Sequence, residues 1–204
     1  MKKQSLTRRT PRQARARETV SFIFEAAVRI LEADGLDALT TNRIAALAGV
    51  SIGTLYQYFP NREALLEALA RREIASVFES LARLRQADAP ATSRDERLRQ
   101  IVRALLGALD GRLRARRALM MAIMSSGRFE AVLAQTDSMT AALVARAGPV
   151  SEADALNGFV LSRAVGGAVR GALLRDETIL REPAFEEALL RLIAGFLGQG
   201  GVQP

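Results

Sequence analysis

The residues best suited to chemistry lie between positions 41 and 62, and what they suit is contact with phosphates and base edges. Ser51 can cap a short helix through its hydroxyl. Leu55 and Phe59, four apart, share one face of that helix, which leaves Ile52, Gly53, Thr54, Tyr56, Gln57 and Tyr58 outward or flanking. A helix offering glycine, hydroxyls, an amide and two phenols, with almost no charge, suits a major groove. Enzyme chemistry has little to work with. The 204 residues contain no histidine and no cysteine, which removes the usual zinc sites, thiol chemistry, disulfides and histidine acid–base catalysis. No acid pair stands out either, so we expect no catalytic residue, no metal and no cofactor.

The flanking elements must hold that helix at a fixed angle. Thr40 or Thr41 can cap a preceding helix whose apolar face is Ile44, Ala45, Leu47 and Ala48. Gly49 falls where the chain leaves it, a place that favours positive φ, and Val50 is set to plug the corner. Upstream, Val20, Ile23, Phe24, Ala27, Ile30 and Leu31 recur at three and four, predicting an amphipathic helix over 18–33 ended by Asp34-Gly35. Pro60 breaks the chain after Phe59, and Asn61 caps a long helix to about Gln86. A helix pair used only for packing would show the same corner.

The wording carries more than the corner. TTNRIAALAGVS, GTLYQYF and NREALLEAL, preceded by ADGLDALT, closely resemble the DNA-binding domain of TetR-family repressors over about residues 17–69. The resemblance implies that Thr41, Tyr56, Tyr58 and Arg62 hold phosphates, while Asn42, Ile52, Gly53 and Gln57 approach base edges. Gln57 can pair with adenine. Asn42, Ile52 and Gly53 depart by offering little bidentate hydrogen bonding, so specificity would lean on Gln57, thymine methyls and DNA shape.

Composition bounds the rest. Half the chain (49%) is hydrophobic, and Ala, Leu, Arg and Glu dominate without alternating β-branched runs, so the class is all-α. The net charge of +7 sits entirely in Lys2, Lys3, Arg8, Arg9, Arg12, Arg15 and Arg17; beyond them, cations and acids cancel. That stretch is either a solvated tail or an arm on phosphates, and its place before a DNA-binding unit favours the arm. No apolar stretch follows the basic start and no segment approaches a membrane span, so a cytoplasmic protein is expected.

After the loop 87–92, Ser93 and Glu96 form a capping box, and helices follow to Asp110-Gly111, over 112–124 and over 129–146, stopped by Gly148-Pro149. Leu105, Leu109, Met120, Met124, Phe129 and Phe159 can enclose an apolar cavity, though methionines more often fill a core. Arg163 can meet an acidic ligand group or a salt-bridge partner. The family commonly has its effector pocket among these helices, which implies a small apolar or aromatic effector.

Ser151 caps a helix rich in small residues, and Pro183 opens the last one, followed by a frayed tail from Gln199. Interior glycines cost about 1 kcal/mol each, so close backbone approach is the expected gain. By resemblance these two helices form a homodimer interface, with Gly167, Gly171, Leu173, Phe185, Leu189 and Phe196 at the contact. The expected architecture is about nine helices: a basic arm at 1–17, a helix-turn-helix domain at 18–66, and a ligand-binding and dimerisation domain at 67–204 linked through a helix at 61–86. The expected function is a ligand-released repressor binding a palindromic operator as a dimer. A nucleoid or division-type DNA-binding protein without an effector is the alternative.

Overall fold

The computed structural model describes residues 11–86, 93–145 and 152–198. Among the described residues there are nine α-helices and no strand, and the chain falls into two compact units, Met1–Leu65 and Leu66–Pro204. The arm cations Lys2, Lys3, Arg8 and Arg9, the loop 87–92, the Gly148-Pro149 stop, the Ser151 cap and the tail from Gln199 lie outside the described residues.

The first unit contains α1 (Pro11–Asp34), α2 (Thr41–Ala48), α3 (Ile52–Tyr58) and the start of α4 (Arg62–Gln86). α1 begins seven residues before the expected start at Glu18, because proline is at home in a first helical turn, where its missing N–H costs no bond. Arg15 and Arg17 are therefore exposed residues of a helix, not part of an arm. Ile23, Phe24, Ala27, Ile30 and Leu31 are buried as their spacing requires. α1 packs on α2, and α2 on α3. Leu47, expected on the inner face of α2, is half exposed.

Local chemistry sets each corner. Thr40 is the cap of α2, its Oγ1 accepting from Arg43 N–H at 3.3 Å. Gly49 takes φ +69, which lets its own N–H and that of Val50 turn back to the Ala46 and Ala45 carbonyls at 3.3 and 3.0 Å. Ser51 Oγ caps α3 by accepting from Thr54 N–H at 3.0 Å. Phe59 is extended (φ −134, ψ 105), as the residue before a proline must be, and its ring centroid lies 5.4 Å from that of Phe24. Asn61 Oδ1 then accepts from Ala64 N–H at 2.8 Å to open α4.

The second unit holds the rest of α4 with α5 (Arg94–Leu109), α6 (Leu113–Ser125), α7 (Phe129–Ala145), α8 (Glu152–Arg175) and α9 (Pro183–Gly198). Leu98 and Val102 of α5 pack with Leu189, Leu190 and Ile193 of α9, flanked by Arg99–Glu187 (2.7 Å) and Arg103–Glu186 (2.9 Å). A second cluster joins Leu113, Ala172, Leu173 and Leu180, and Phe185 packs against both. Leu180 reaches it from an unforeseen 3-10 turn, Glu177–Arg181, capped by Asp176 Oδ1 accepting from Thr178 N–H at 2.9 Å.

Leu173 and Leu189 are thus spent on the chain's own core, which corrects their assignment to a subunit interface. Phe185 is largely spent there too, while Phe196 is half-buried. Near the start of this unit, Glu67 accepts from Arg71 one turn on and from Arg128 just before α7, while Arg71 donates to Gln135 at 3.2 Å. The hydrogen bonds from Arg71 and then Arg128 hold the Glu67 carboxyl below its ordinary value of 4.5.

Both tyrosines of the chain, Tyr56 and Tyr58, are in α3 and there is no tryptophan, so tyrosine emission reports on the first unit alone. In urea titrations followed that way, Leu55→Ala is expected to cost about 2–5 kcal/mol through the cavity it leaves. Gly49→Ala meets no atom within 4 Å and should cost only the left-handed backbone term, about 1–2 kcal/mol. For Glu67, a depressed native pKa means that its stabilisation is complete above about 4.5 and lost as pH falls through the lower native value. Thermal melts by circular dichroism should therefore show Glu67→Gln lowering Tm at neutral pH and losing less than the wild type on acidification.

Candidate functional site

α3 has only seven residues and presents them selectively. Leu55 is fully buried, while Ile52, Gly53, Tyr56, Gln57 and Tyr58 are exposed. Thr54 is half-buried and its Oγ1 lies 2.8 Å from Ser51 Oγ, so these two hydroxyls hold the cap and each other. Neither α2 nor α3 contains a carboxylate. Because Thr40 serves as the α2 cap, the Thr41 hydroxyl is left to meet Tyr56 Oη at 3.3 Å. That pair sits at the first turn of α2, where unpaired amides and the positive end of the helix favour an anion. Asn42 is exposed beside it.

Gly53 is the residue the fold explains least. Its backbone is not left-handed, and an added Cβ would meet only Ser51 Oγ, at an ordinary 3.8 Å. Glycine inside a helix costs about 1 kcal/mol against alanine. Among the described residues no contact offsets that cost, whereas close approach of a ligand to the backbone would.

Arg62 takes a contact other than the expected one. Its Nη2 donates to the Leu36 carbonyl at 2.6 Å, and its Nε is buried without a partner. The half-buried guanidinium braces the turn after α1.

In the second unit a cavity of about 170 Å³ lies among α4, the end of α5, α6, α7 and α8. Leu109, Met120 and Phe129 line it, together with Ile74, Val77, Leu119, Ile123, Val132 and Leu133. Leu105, Met124, Phe159 and Arg163 do not. Met124 is near the exposed end of α6, and Phe159 is 47% exposed. Phe159 precedes the lining residue Gly166 by seven, which keeps it on nearly the same face of α8 but about 10 Å along the axis. Arg163 pairs with Asp137 and lies 5.2 Å from the Phe159 ring, the salt-bridge outcome.

The polar groups that do reach the cavity escaped the sequence reading. Arg116 and Glu73 form a mostly buried pair at 2.9 Å, and Arg116 also donates to the Ala108 carbonyl at 3.1 Å. Arg170, seven residues after Arg163, lies 5.1 Å from the Phe129 ring centroid. The spacing of Arg163 and Arg170 along an otherwise apolar helix was the available signal.

Gly171 and Gly166 have no atom within 4 Å of an added Cβ, and Gly167 meets only Arg170 Nη2 at 3.8 Å. The close helix approach expected at these glycines does not occur among the described residues. Leu156 (62%), Val160 (44%) and Leu192 (39%) are left exposed on α8 and α9. Among the described residues no acid, histidine or cysteine group is arranged to hold a metal, and no helix is long and apolar enough to cross a membrane.

Comparison with known proteins follows this division. Residues 23–69 match the model of bacterial regulatory proteins of the tetR family. Over 57 residues the chain is 39% identical to nucleoid occlusion factor SlmA of Actinobacillus pleuropneumoniae, covering 28% of each protein. Over 55 residues it is 40% identical to the class D tetracycline repressor protein of Escherichia coli, covering 27% of this chain and 25% of that one. The chain thus spans only about a quarter of the length of these relatives. A TetR-family transcriptional regulator from Streptomyces coelicolor superposes with a TM-score of 0.65 at 20% identity, over 91% of this chain and 98% of its own. Residues 23–69 are thus similar to the tetR family of bacterial regulatory proteins, and the described helices share the fold of a solved TetR-family transcriptional regulator.

Proposed function

We propose that this chain is a transcriptional repressor that binds a palindromic operator as a homodimer and is released by a small apolar or aromatic effector. The observation that carries the DNA-binding part is the outer face of α3: exposed, uncharged, and built around a glycine that no contact among the described residues requires. In this reading Gln57 reads base edges, with Asn42, Ile52 and Gly53 close to the groove floor. Thr41, Tyr56 and Tyr58 hold phosphates, with the basic stretch ahead of α1 adding further phosphate contacts. The protein works where operator DNA is, in the cytoplasm.

The cavity supports the effector part, and the name of the tetracycline repressor points the same way. Effector binding would favour a dimer state whose recognition helices no longer match two successive major grooves, which requires tighter binding to that state. The match to SlmA favours a second reading, a nucleoid-binding protein without an effector, but it is confined to the segment both kinds of protein share.

For the dimer, the faces left free by intrachain packing are the ones proposed: Leu156, Val160, Gly167 and Gly171 of α8 with Leu192 and Phe196 of α9. Gly171→Leu fills open space in the protomer, so it should keep helical content while loosening the dimer. Sedimentation velocity checks this, and a wild-type protein that is monomeric at micromolar concentration would end the proposal.

With an operator selected from random duplexes, Gln57→Ala should flatten preference at one base pair per half-site by about 1–3 kcal/mol in anisotropy titrations. Gly53→Ala is expected to leave stability equal or raised by up to about 1 kcal/mol, yet to weaken every duplex. Removing residues 1–10 should lower the slope of log affinity on log salt by about 0.9 for each lost phosphate contact. Ranking of sites that survives Gln57→Ala unchanged would refute base reading by this helix.

A further inference from the structure

The charge inside the second unit's cavity does not cancel. Glu73 and Arg116 neutralise each other at 2.9 Å, leaving Arg170 as the remaining ionised side chain on the wall. Arg170 is half-buried, and among the described residues its recorded partner is the Phe129 ring, with no carboxylate. Around it the wall is apolar, with Ile74, Val77, Met120 and Val132 among its residues. A guanidinium held partly out of water without a counter-charge is costly, and an anion brought to it is attracted more strongly than at a wet surface. The planar fork of arginine matches a carboxylate through two parallel hydrogen bonds.

Size narrows the ligand. An apolar cavity of about 150 Å³ holds benzene, so one of about 170 Å³ takes a single ring or a short alkyl chain with a small head group. The geometry points to a small hydrophobic monocarboxylate as the effector, its ring or chain among the apolar residues and its carboxylate on Arg170. This rests on the reading of the cavity as the effector site. The Phe129 ring under Arg170 keeps the guanidinium plane in place, so the acid group meets a cation already oriented.

The test uses the full chain and isothermal titration with matched probes: benzoate against benzamide and benzylamine, and hexanoate against hexanamide. The expected result is that each acid binds about tenfold or more tightly than its amide, the scale of a hydrogen bond to a charged group, and that benzylamine does not bind. Arg170→Met should erase the acid's advantage while leaving the amides unchanged, and Arg170→Lys should restore part of it. If Arg170 served only to hold Phe129, Arg170→Met would weaken acids and amides alike, which would overturn the inference. Amides binding as tightly as acids in the wild type would overturn it without any variant, leaving the cavity reading intact. If no acid, amide or amine binds, the cavity reading falls with it.

Discussion

The structure of the first unit depends on the burial of two side chains, Leu55 and Phe59. A seven-residue helix cannot hold itself in water, because nucleation costs more than so few hydrogen bonds return. Ser51 supplies one cap bond, and the rest must come from packing: Leu55 is wholly covered and Phe59 lies against Phe24 of α1. With the two anchors four residues apart, the inner face of α3 is used up. Ile52, Gly53, Tyr56, Gln57 and Tyr58 have nowhere to go but outward. The outward surface of α3 is thus a consequence of how the helix is anchored.

The same economy gives some expected contact residues structural work within the chain. Ser51 and Thr54 spend their hydroxyls on the α3 cap, and Arg62 spends its guanidinium on the Leu36 carbonyl. Thr41 keeps its hydroxyl because its neighbour Thr40 takes the capping role. A polar side chain in so small a unit either closes a helix end or faces a ligand, and hydrogen-bond geometry decides which.

In the second unit the governing constraint is charge. Arg116 and Glu73 are both mostly buried, a placement that is tolerable only because they are paired and Arg116 has a further carbonyl acceptor. Glu67 is likewise shared between Arg71 and Arg128, which ties α4 to the start of α7. Against that background Arg170 stands out, cationic on a wall whose other charges are matched.

What the sequence determined by itself is local. Caps at Ser51, Asn61 and Ser93, the left-handed exit at Gly49, the break at Pro60 and the inner faces of α1 and α3 follow from chemistry within a few residues of each site. The all-α class and the helix-turn-helix were legible for that reason. What only the tertiary structure decided is level and allegiance along the longer helices. Periodicity assigns Arg163 and Arg170 nearly the same face, but two turns separate them; one meets Asp137 and the other the cavity. Phe159 and Gly166 divide the same way. Leu173 and Leu189 had the apolar character an interface needs, yet they pack within the chain, since a hydrophobic stripe specifies burial without naming the surface that buries it.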